Sequence, residues 1–309
     1  MLSVVTSLYN SSAFIAEFHA RTTESAARLT SDYEIVLVND GSPDRSLELA
    51  IELAERDPHV RVIDLSRNFG HHKALMTGLA RARGELVFLI DSDLEEDPAW
   101  LAQFHAALTA AGGDVVYGVQ AARKGGWFER ATGALFYRVF NHLLTHPIPA
   151  NVITARLMTR RYVRALVRHR DQEICLAGLW QITGFDQRPL VVNKRRGASS
   201  SYTLRRRLSA FVNAITSFSN RPLIYIFQIG VAVMLLSIVA GVVLMYESLS
   251  GQVGVPGWAS LMVSMWFLGG LTIFCLGVIG IYVAKVFTET KERPYTVVRH
   301  EYGATRKSP

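Results

Sequence analysis

Hydrophobic positions follow two rhythms along the first part of the chain. Short apolar runs occupy residues 4–9, 33–38, 60–65, 86–90 and 114–118, rich in Val, Ile and Leu and bounded by Asn, Asp, Gly or Ser. Such runs predict strands. Between them the apolar positions take helical spacing. Phe14, Ile15, Phe18, Ala26 and Leu29 mark a helix over 13–29. Leu47, Ala50, Ile51 and Ala54 mark one ending at Arg56, capped by Ser42 or Asp44. Helices over 71–83 and 99–111 complete the pattern. Strands alternating with helices predict βαβ units with right-handed crossovers, an α/β fold built on a mostly parallel, Rossmann-like sheet.

Beyond residue 120 the pattern changes. Arg123, Lys124, Arg130 and Arg138 interleave with Trp127, Phe128, Leu135, Phe136, Tyr137 and Phe140. That composition suits a helix lying in a membrane interface, and equally an ordinary helix packed on the sheet. Residues 187–220 contain no acid but seven basic residues: Arg188, Lys194, Arg195, Arg196, Arg205, Arg206 and Arg207. No Asp, Glu, Lys or Arg lies between Arg221 and Glu247, or between Glu247 and Lys285. Each gap exceeds the roughly 20 apolar residues that cross a bilayer. Two membrane spans are expected, over 222–246 and 258–284.

The connector 247–257 carries no Lys or Arg, whereas Arg221 precedes the first span and Lys285, Lys291 and Arg293 follow the second. The positive-inside rule then places both flanks in the cytoplasm of a multi-pass protein of the inner (cytoplasmic) membrane. The expected division is a cytoplasmic domain over 1–205, an interfacial helix over 206–221, two spans over 222–287 and a cytoplasmic tail over 288–309. Residues 295–298 of the tail read as a short strand added to a sheet edge, or as a disordered terminus.

The net charge of +7 sits beside the apolar runs, which points to anionic lipid rather than nucleic acid. Cys175 and Cys275 are the two cysteines of the 309-residue chain, and the second lies within a span. A disulfide framework is not expected. Met1, Leu2 and Ser3 lead straight into the first strand, so no signal peptide is expected either.

The chemistry gathers after the run 86–90, where Asp91-Ser92-Asp93 is followed by Glu95, Glu96 and Asp97. Ligands of open parallel sheets bind beyond the carboxyl ends of the strands. Two carboxylates there can share Mg²⁺ or Mn²⁺ with substrate phosphates. An isolated D-x-D is more often a solvated turn that caps the next helix. His71 and His72 read as helix-capping residues before they read as catalysts. Trp180 reads as core or interface packing before it reads as a platform for sugar or lipid. Glu173 is balanced between an acceptor-site acid and a surface ion pair.

Four blocks change those odds: Val4 to Asn10, then Asn39-Asp40-Gly41-Ser42-Pro43-Asp44, then Ser66-Arg67-Asn68-Phe69-Gly70-His71, then Asp91-Ser92-Asp93-Leu94. Together with two spans downstream, they resemble inverting glycosyltransferases of the GT-A fold. More narrowly, they resemble the polyprenyl-phosphate glycosyltransferases, a group of dolichyl-phosphate mannose synthases and undecaprenyl-phosphate glucosyl- and aminosugar transferases. The resemblance covers almost the whole chain. It implies a nucleotide-sugar donor held by Tyr9, Val38, Asp40 and Ser92. It implies Mg²⁺ or Mn²⁺ on Asp91 and Asp93, with Glu95 assisting. Arg123 and Arg195 are implied at the phosphates, beside Asp91 and Asp93 in catalysis. The implied partners are a polyprenyl phosphate, the membrane and further copies of the chain. The implied product serves cell-envelope glycan assembly, with UDP-glucose the commonest donor.

The chain departs from that pattern. Ser7 replaces a proline, Ser11 an acid, Asn39 an aspartate and Ser201 a lysine. Asn151 to Leu157 replaces an acidic D-x-G-D-F-R-L block. Three rivals remain. A nucleotidyltransferase would carry a Gly-rich phosphate loop after the first strand, and none occurs there. A processive polysaccharide synthase would carry Q-x-x-R-W and more spans, and no Arg-Trp pair occurs in the chain. A catalytically altered membrane scaffold is disfavoured by intact Asp40, Asp91 and Asp93.

Overall fold

The computed structural model describes residues 1–120, 149, 151–194, 219, 221–250 and 257–303. These fall into two compact units. One holds residues 1–120, 149, 151–194 and 293–303, and the other residues 219, 221–250 and 257–292.

The first unit is an eight-stranded sheet dressed with helices. In chain order its elements are β1 (Leu2–Leu8), α1 (Ile15–Ala27), β2 (Tyr33–Asn39), α2 (Ser46–Arg56), β3 (Val60–Leu65), α3 (His71–Arg81), β4 (Leu86–Leu89), α4 (Trp100–Ala111), β5 (Val115–Gln120), β6 (Val152–Thr159), α5 (Arg160–Leu166), α6 (Leu176–Thr183) and β7 (Gln187–Val192). After α7 (Arg221–Leu249) and α8 (Trp258–Glu289) of the other unit, β8 (Val298–Tyr302) closes the list.

Strand order is β7-β5-β6-β4-β1-β2-β3-β8. The central strands β4, β1, β2 and β3 run parallel, in register from Leu2 opposite Tyr33 and Leu86. Every residue of β1, β2 and β3 is buried. That explains why these strands read as continuous apolar runs rather than alternating ones: helices cover both faces. The fit is close at Gly78 of α3, where a Cβ would stand 2.6 Å from Val5 Cγ1 and 2.8 Å from Val38 Cγ2. The helix can lie this near the sheet because no side chain intervenes. Buried polar groups at the lower strand ends are paired: Ser3 Oγ donates to Glu34 at 2.6 Å, and Arg61 Nη1 to Glu34 at 2.8 Å.

Two features depart from the βαβ expectation. Residues 151–157, read above only as an altered motif, belong largely to β6, which runs antiparallel to both β4 and β5. The run V-I-T-A-R-L-M-T hides its strand character because Arg156 is buried within it. The tail strand begins at Val298 rather than Tyr295 and pairs antiparallel with β3 of its own chain. Ser66 N–H to Val297 O, at 2.9 Å, extends that ladder.

In the second unit, α7 has 29 residues and α8 has 32. At about 1.5 Å per residue each exceeds the ~30 Å hydrocarbon core of a bilayer. Segments Arg221–Val239 and Ser264–Glu289 are long and apolar enough to cross a membrane. Their apolar side chains face outward: Leu236 is 71% and Trp266 79% exposed. An exposed apolar belt of this length calls for lipid or protein around it. Tyr282 Oη donates to the Ser219 carbonyl at 2.8 Å within this unit. The expected interfacial helix over 206–221 and the basic aromatic stretch over 121–145 lie outside the described residues, apart from Ser219 and Arg221.

Candidate active site

The carboxyl ends of β1, β2, β3 and β4 lie side by side, as parallel register requires. Each chain segment leaving its strand adds functional groups to one rim. Tyr9, half exposed, follows β1. Asp40 follows β2 and is buried. Its Oδ1 accepts the Phe69 N–H at 2.7 Å and its Oδ2 the Gly70 N–H at 2.9 Å. Burial pushes the Asp40 carboxyl upward, and these two bonds only partly offset it. Asp40 thus ties the Ser66–Gly70 loop to the rim at the strand ends. Val38 sits one turn of the pleat below, fully buried against Gly78.

Asn39, Ser7 and Ser11, three of the residues that break the resembled pattern, have partners here, and Ser201 lies outside the described residues. Asn39 Nδ2 donates to Asp64 Oδ1 at 2.8 Å in a buried pair. An aspartate at 39 would face that carboxylate with like charge. Ser7 Oγ lies 2.8 Å from His71 Nδ1, and Ser11 Oγ 3.1 Å from Ser92 Oγ. Ser92 Oγ also donates to the Ser7 carbonyl at 3.0 Å. The Ser92 side chain therefore joins the ends of β1 and β4.

Asp91 and Asp93 follow β4 in a tight turn. Asp93 Oδ1 accepts the Glu95 N–H at 3.0 Å, and Leu94 takes a left-handed φ of 60°. Such a backbone costs a non-glycine residue on the order of 1–2 kcal/mol, and it clusters at functional turns. Asp93 is exposed, whereas Asp91 Oδ1 is a buried atom without a hydrogen-bond partner. His71 Nε2 stands 3.3 Å from it, at ion-pair distance. Burial pushes the Asp91 carboxyl up, but His71, Thr154 and Lys194 outweigh it and leave it lowered. Asp93 is raised, first by burial and then by its acidic neighbours Asp91 and Glu95.

Glu95 meets Lys194, with Nζ 2.8 Å from Oε2. Glu96 is fully buried. It accepts the N–H of Thr154 at 3.1 Å and that of Asp91 at 3.4 Å. Burial, then the Asp91 charge, push its carboxyl up to about 8. Beside it opens a cleft of about 600 Å³ lined by His72, Glu96, Thr154, Trp180 and Lys194 among others. Trp180 is part of the wall, stacked on the buried Arg156 guanidinium at 2.9 Å from ring centroid to Cζ. Arg156 also donates to the Ile153 and Thr154 carbonyls, and burial holds it down to about 9. His72 donates to the Ile174 carbonyl, with 3.1 Å between Nδ1 and oxygen.

Tyr9, Asp40, Asp91, Ser92, Asp93 and Glu95 thus share one rim, with Val38 beneath it in the core. Arg123 and Arg195 lie outside the described residues. Sequence reasoning passed over Glu96 as one more acid of a solvated turn. It also passed over the pairing of Lys194 across 99 positions of chain, for which no local signal exists.

A family profile described as "Glycosyl transferase family 2" matches residues 3–167, more than half of the chain. This protein belongs to glycosyltransferase family 2. As a family 2 glycosyltransferase it is a transferase, and its relatives agree along its whole length. A protein of Mycobacterium tuberculosis (strain CDC 1551 / Oshkosh) named "Putative glycosyltransferases" is 51% identical over 303 residues, covering 98% of this chain and 89% of that one. The "Bactoprenol glucosyl transferase" of Shigella phage SfV is 31% identical over 303 residues, covering 97% and 98%. Among solved structures, glucosyl-3-phosphoglycerate synthase from Mycobacterium tuberculosis superposes with a TM-score of 0.50 at 19% identity, covering 71% of this chain and 81% of that one. That likeness speaks for the fold, the GT-A sheet.

Proposed function

We propose that this family 2 glycosyltransferase moves a sugar from a nucleoside diphosphate donor to the phosphate of a polyprenyl lipid. UDP-glucose is the leading donor and undecaprenyl phosphate the leading acceptor. The observation that carries this reading is similarity to the bactoprenol glucosyl transferase over 97% of the chain, a span that takes in both bilayer-length helices. A chain with two such helices resides where an amphiphilic acceptor resides. On this reading the catalytic unit and both termini face the cytoplasm, anchored in the inner membrane.

The acids suit a divalent ion. Asp91 Oδ1 is buried without a hydrogen-bond partner but with His71 Nε2 at ion-pair distance, 3.3 Å, and Asp93 offers an exposed carboxylate two residues on. Among the described residues no group of three or more His, Cys, Asp or Glu side chains is gathered as a complete metal site. That is the usual state for Mg²⁺ or Mn²⁺ shared with substrate phosphates, which bring the remaining oxygens. Asp91 and Asp93 would hold the ion, with Glu95 assisting. Bound there, it neutralises charge on the departing nucleoside diphosphate.

The residues of the chain do the rest. Tyr9 and Asp40 form the nucleoside rim, and the Ser92 side chain keeps the β1 and β4 ends together. Arg123 and Arg195 hold the two anions against their repulsion. A polyprenyl phosphate is ionised at neutral pH, so its attack needs little help from a base. One phosphate oxygen bonds to the anomeric carbon as the bond to the nucleoside diphosphate breaks, and that group leaves with the electron pair. In-line displacement inverts the anomeric carbon.

The test is transfer in vesicles containing undecaprenyl phosphate, with a panel of labelled UDP- and GDP-sugars, with and without Mn²⁺. Label entering the lipid phase, lost on chelation and in Asp93→Asn, is the expected result. Full metal-dependent activity in Asp93→Asn would sink the assignment of that carboxylate. Nucleotide binding without transfer from any donor would overturn the lipid acceptor. No nucleotide binding at all would favour a scaffold.

A further inference from the structure

Lys194 lies two residues past β7, at the mouth of the cleft. Its side chain is 20% exposed, and its Nζ stands 2.8 Å from Glu95 Oε2 and 4.0 Å from Glu96 Oε1. Glu95 is also tied by its own N–H to Asp93 Oδ1 at 3.0 Å, which fixes its backbone beside the second D-x-D acid. One carboxylate is thus claimed twice: by an ammonium from the far end of the sheet, and by any divalent ion seated on Asp91 and Asp93.

We propose that Lys194 is a resident counter-ion of the metal site, which a divalent ion displaces from Glu95 and which then turns to the anionic substrate in the cleft. The inference rests on the metal-dependent transfer proposed above and gives that site a built-in order. Lys194 lines the cleft together with Thr154 and Trp180. A lysine carries its charge as a point on a flexible stem and can change partner without moving backbone. Competition for Glu95 weakens binding of the ion alone. A diphosphate draws the ammonium away and removes that competition, so nucleotide and metal favour one another's binding, a reciprocal coupling.

The experiment titrates Mn²⁺ alone into full-length protein in detergent and reads free Mn²⁺ by electron paramagnetic resonance. Lys194→Gln should tighten Mn²⁺ binding by about tenfold, the scale of one coupling interaction. Lys194→Arg, which keeps the charge, should stay near wild type. In a Glu95→Gln background, Lys194→Gln should bring no further gain. Calorimetry with UDP at saturating Mn²⁺ should show weaker UDP binding in Lys194→Gln, restored in Lys194→Arg. Unchanged or weaker Mn²⁺ binding in Lys194→Gln would overturn the proposal, as would absence of Mn²⁺ binding in wild type. Unchanged UDP affinity would overturn the hand-over. Wild type that binds Mn²⁺ and UDP but moves no sugar to lipid would refute the transfer reading and leave the displacement of Lys194 standing.

Discussion

Asp40 accepts the backbone N–H of Gly70 at 2.9 Å, across 30 positions of chain. With the Phe69 N–H on its other oxygen, one carboxylate anchors the loop that leads into α3. Asp40→Ala leaves two backbone donors without their charged acceptor. Hydrogen bonds of this kind contribute roughly 1.5–3 kcal/mol each, and water recovers part of the loss at a half-open loop. We expect a loss of about 2–4 kcal/mol and of nucleotide binding, with Asp40→Asn milder because it keeps one acceptor. Denaturation in detergent and UDP titration measure the two effects.

Gly41 and Gly70 flank this anchor and should respond differently to alanine. Both have positive φ, 59° and 101°. A Cβ on Gly41 would lie 2.5 Å from Arg67 C and 2.5 Å from Asn68 N, whereas one on Gly70 meets nothing within 4 Å. Gly70→Ala therefore costs backbone strain alone, about 1–3 kcal/mol. Gly41→Ala adds a clash with backbone that cannot swing aside. The expected order of melting temperatures is wild type, Gly70→Ala, Gly41→Ala; the reverse order would refute the geometry.

Glu96 makes stability depend on pH in an unusual direction. Its folded pKa, about 8, stands above the ordinary carboxyl value of 4.5. Between those values the folded chain binds a proton that the unfolded chain does not. Its contribution is therefore full below about pH 4.5 and is lost as pH rises through 8. Glu96→Gln removes the titration while keeping an acceptor for Thr154 N–H. The melting temperature of Glu96→Gln relative to wild type should climb between pH 5 and 8. A constant difference across that window would contradict the raised pKa.

The tail should matter more for its strand than for its charges. Arg81 Nε donates to Glu301 at 2.6 Å near the surface, where such pairs contribute roughly 0–1 kcal/mol. Arg299, itself half exposed, stands 3.6 Å from Oδ2 of the buried Asp64, which keeps the Asn39 bond on its other oxygen, so Arg299→Ala should be mild. Removing residues 296–309 deletes β8 and bares the edge of β3, an open invitation to pair with another chain. We expect lower thermal stability and association on size-exclusion chromatography.

Much of the catalytic sheet was legible along the chain. β1, β2, β3 and β4 are buried on both faces, so their apolar runs needed no partner to be recognised. Asp91 and Asp93 were found because they end such a run. β6 was not recognised as a strand. Its buried Arg156 looks like a surface residue until Trp180 and two carbonyls are brought to it. β8 was misplaced by three residues because an edge strand has one half-exposed face and little apolar signal.

What the sequence by itself determined is the alternation of strands and helices, the position of the acids at a strand end, and two apolar stretches long enough for a bilayer. These follow from local composition, which acts on neighbours in the chain. Tertiary structure alone decided that Lys194 meets Glu95, that Glu96 is buried and protonated near neutrality, and that Asp40 holds the Phe69-Gly70 backbone. Burial and charge act through space. The crossovers of the sheet bring together groups about 30 to 100 residues apart, and no period or spacing along the chain records that meeting.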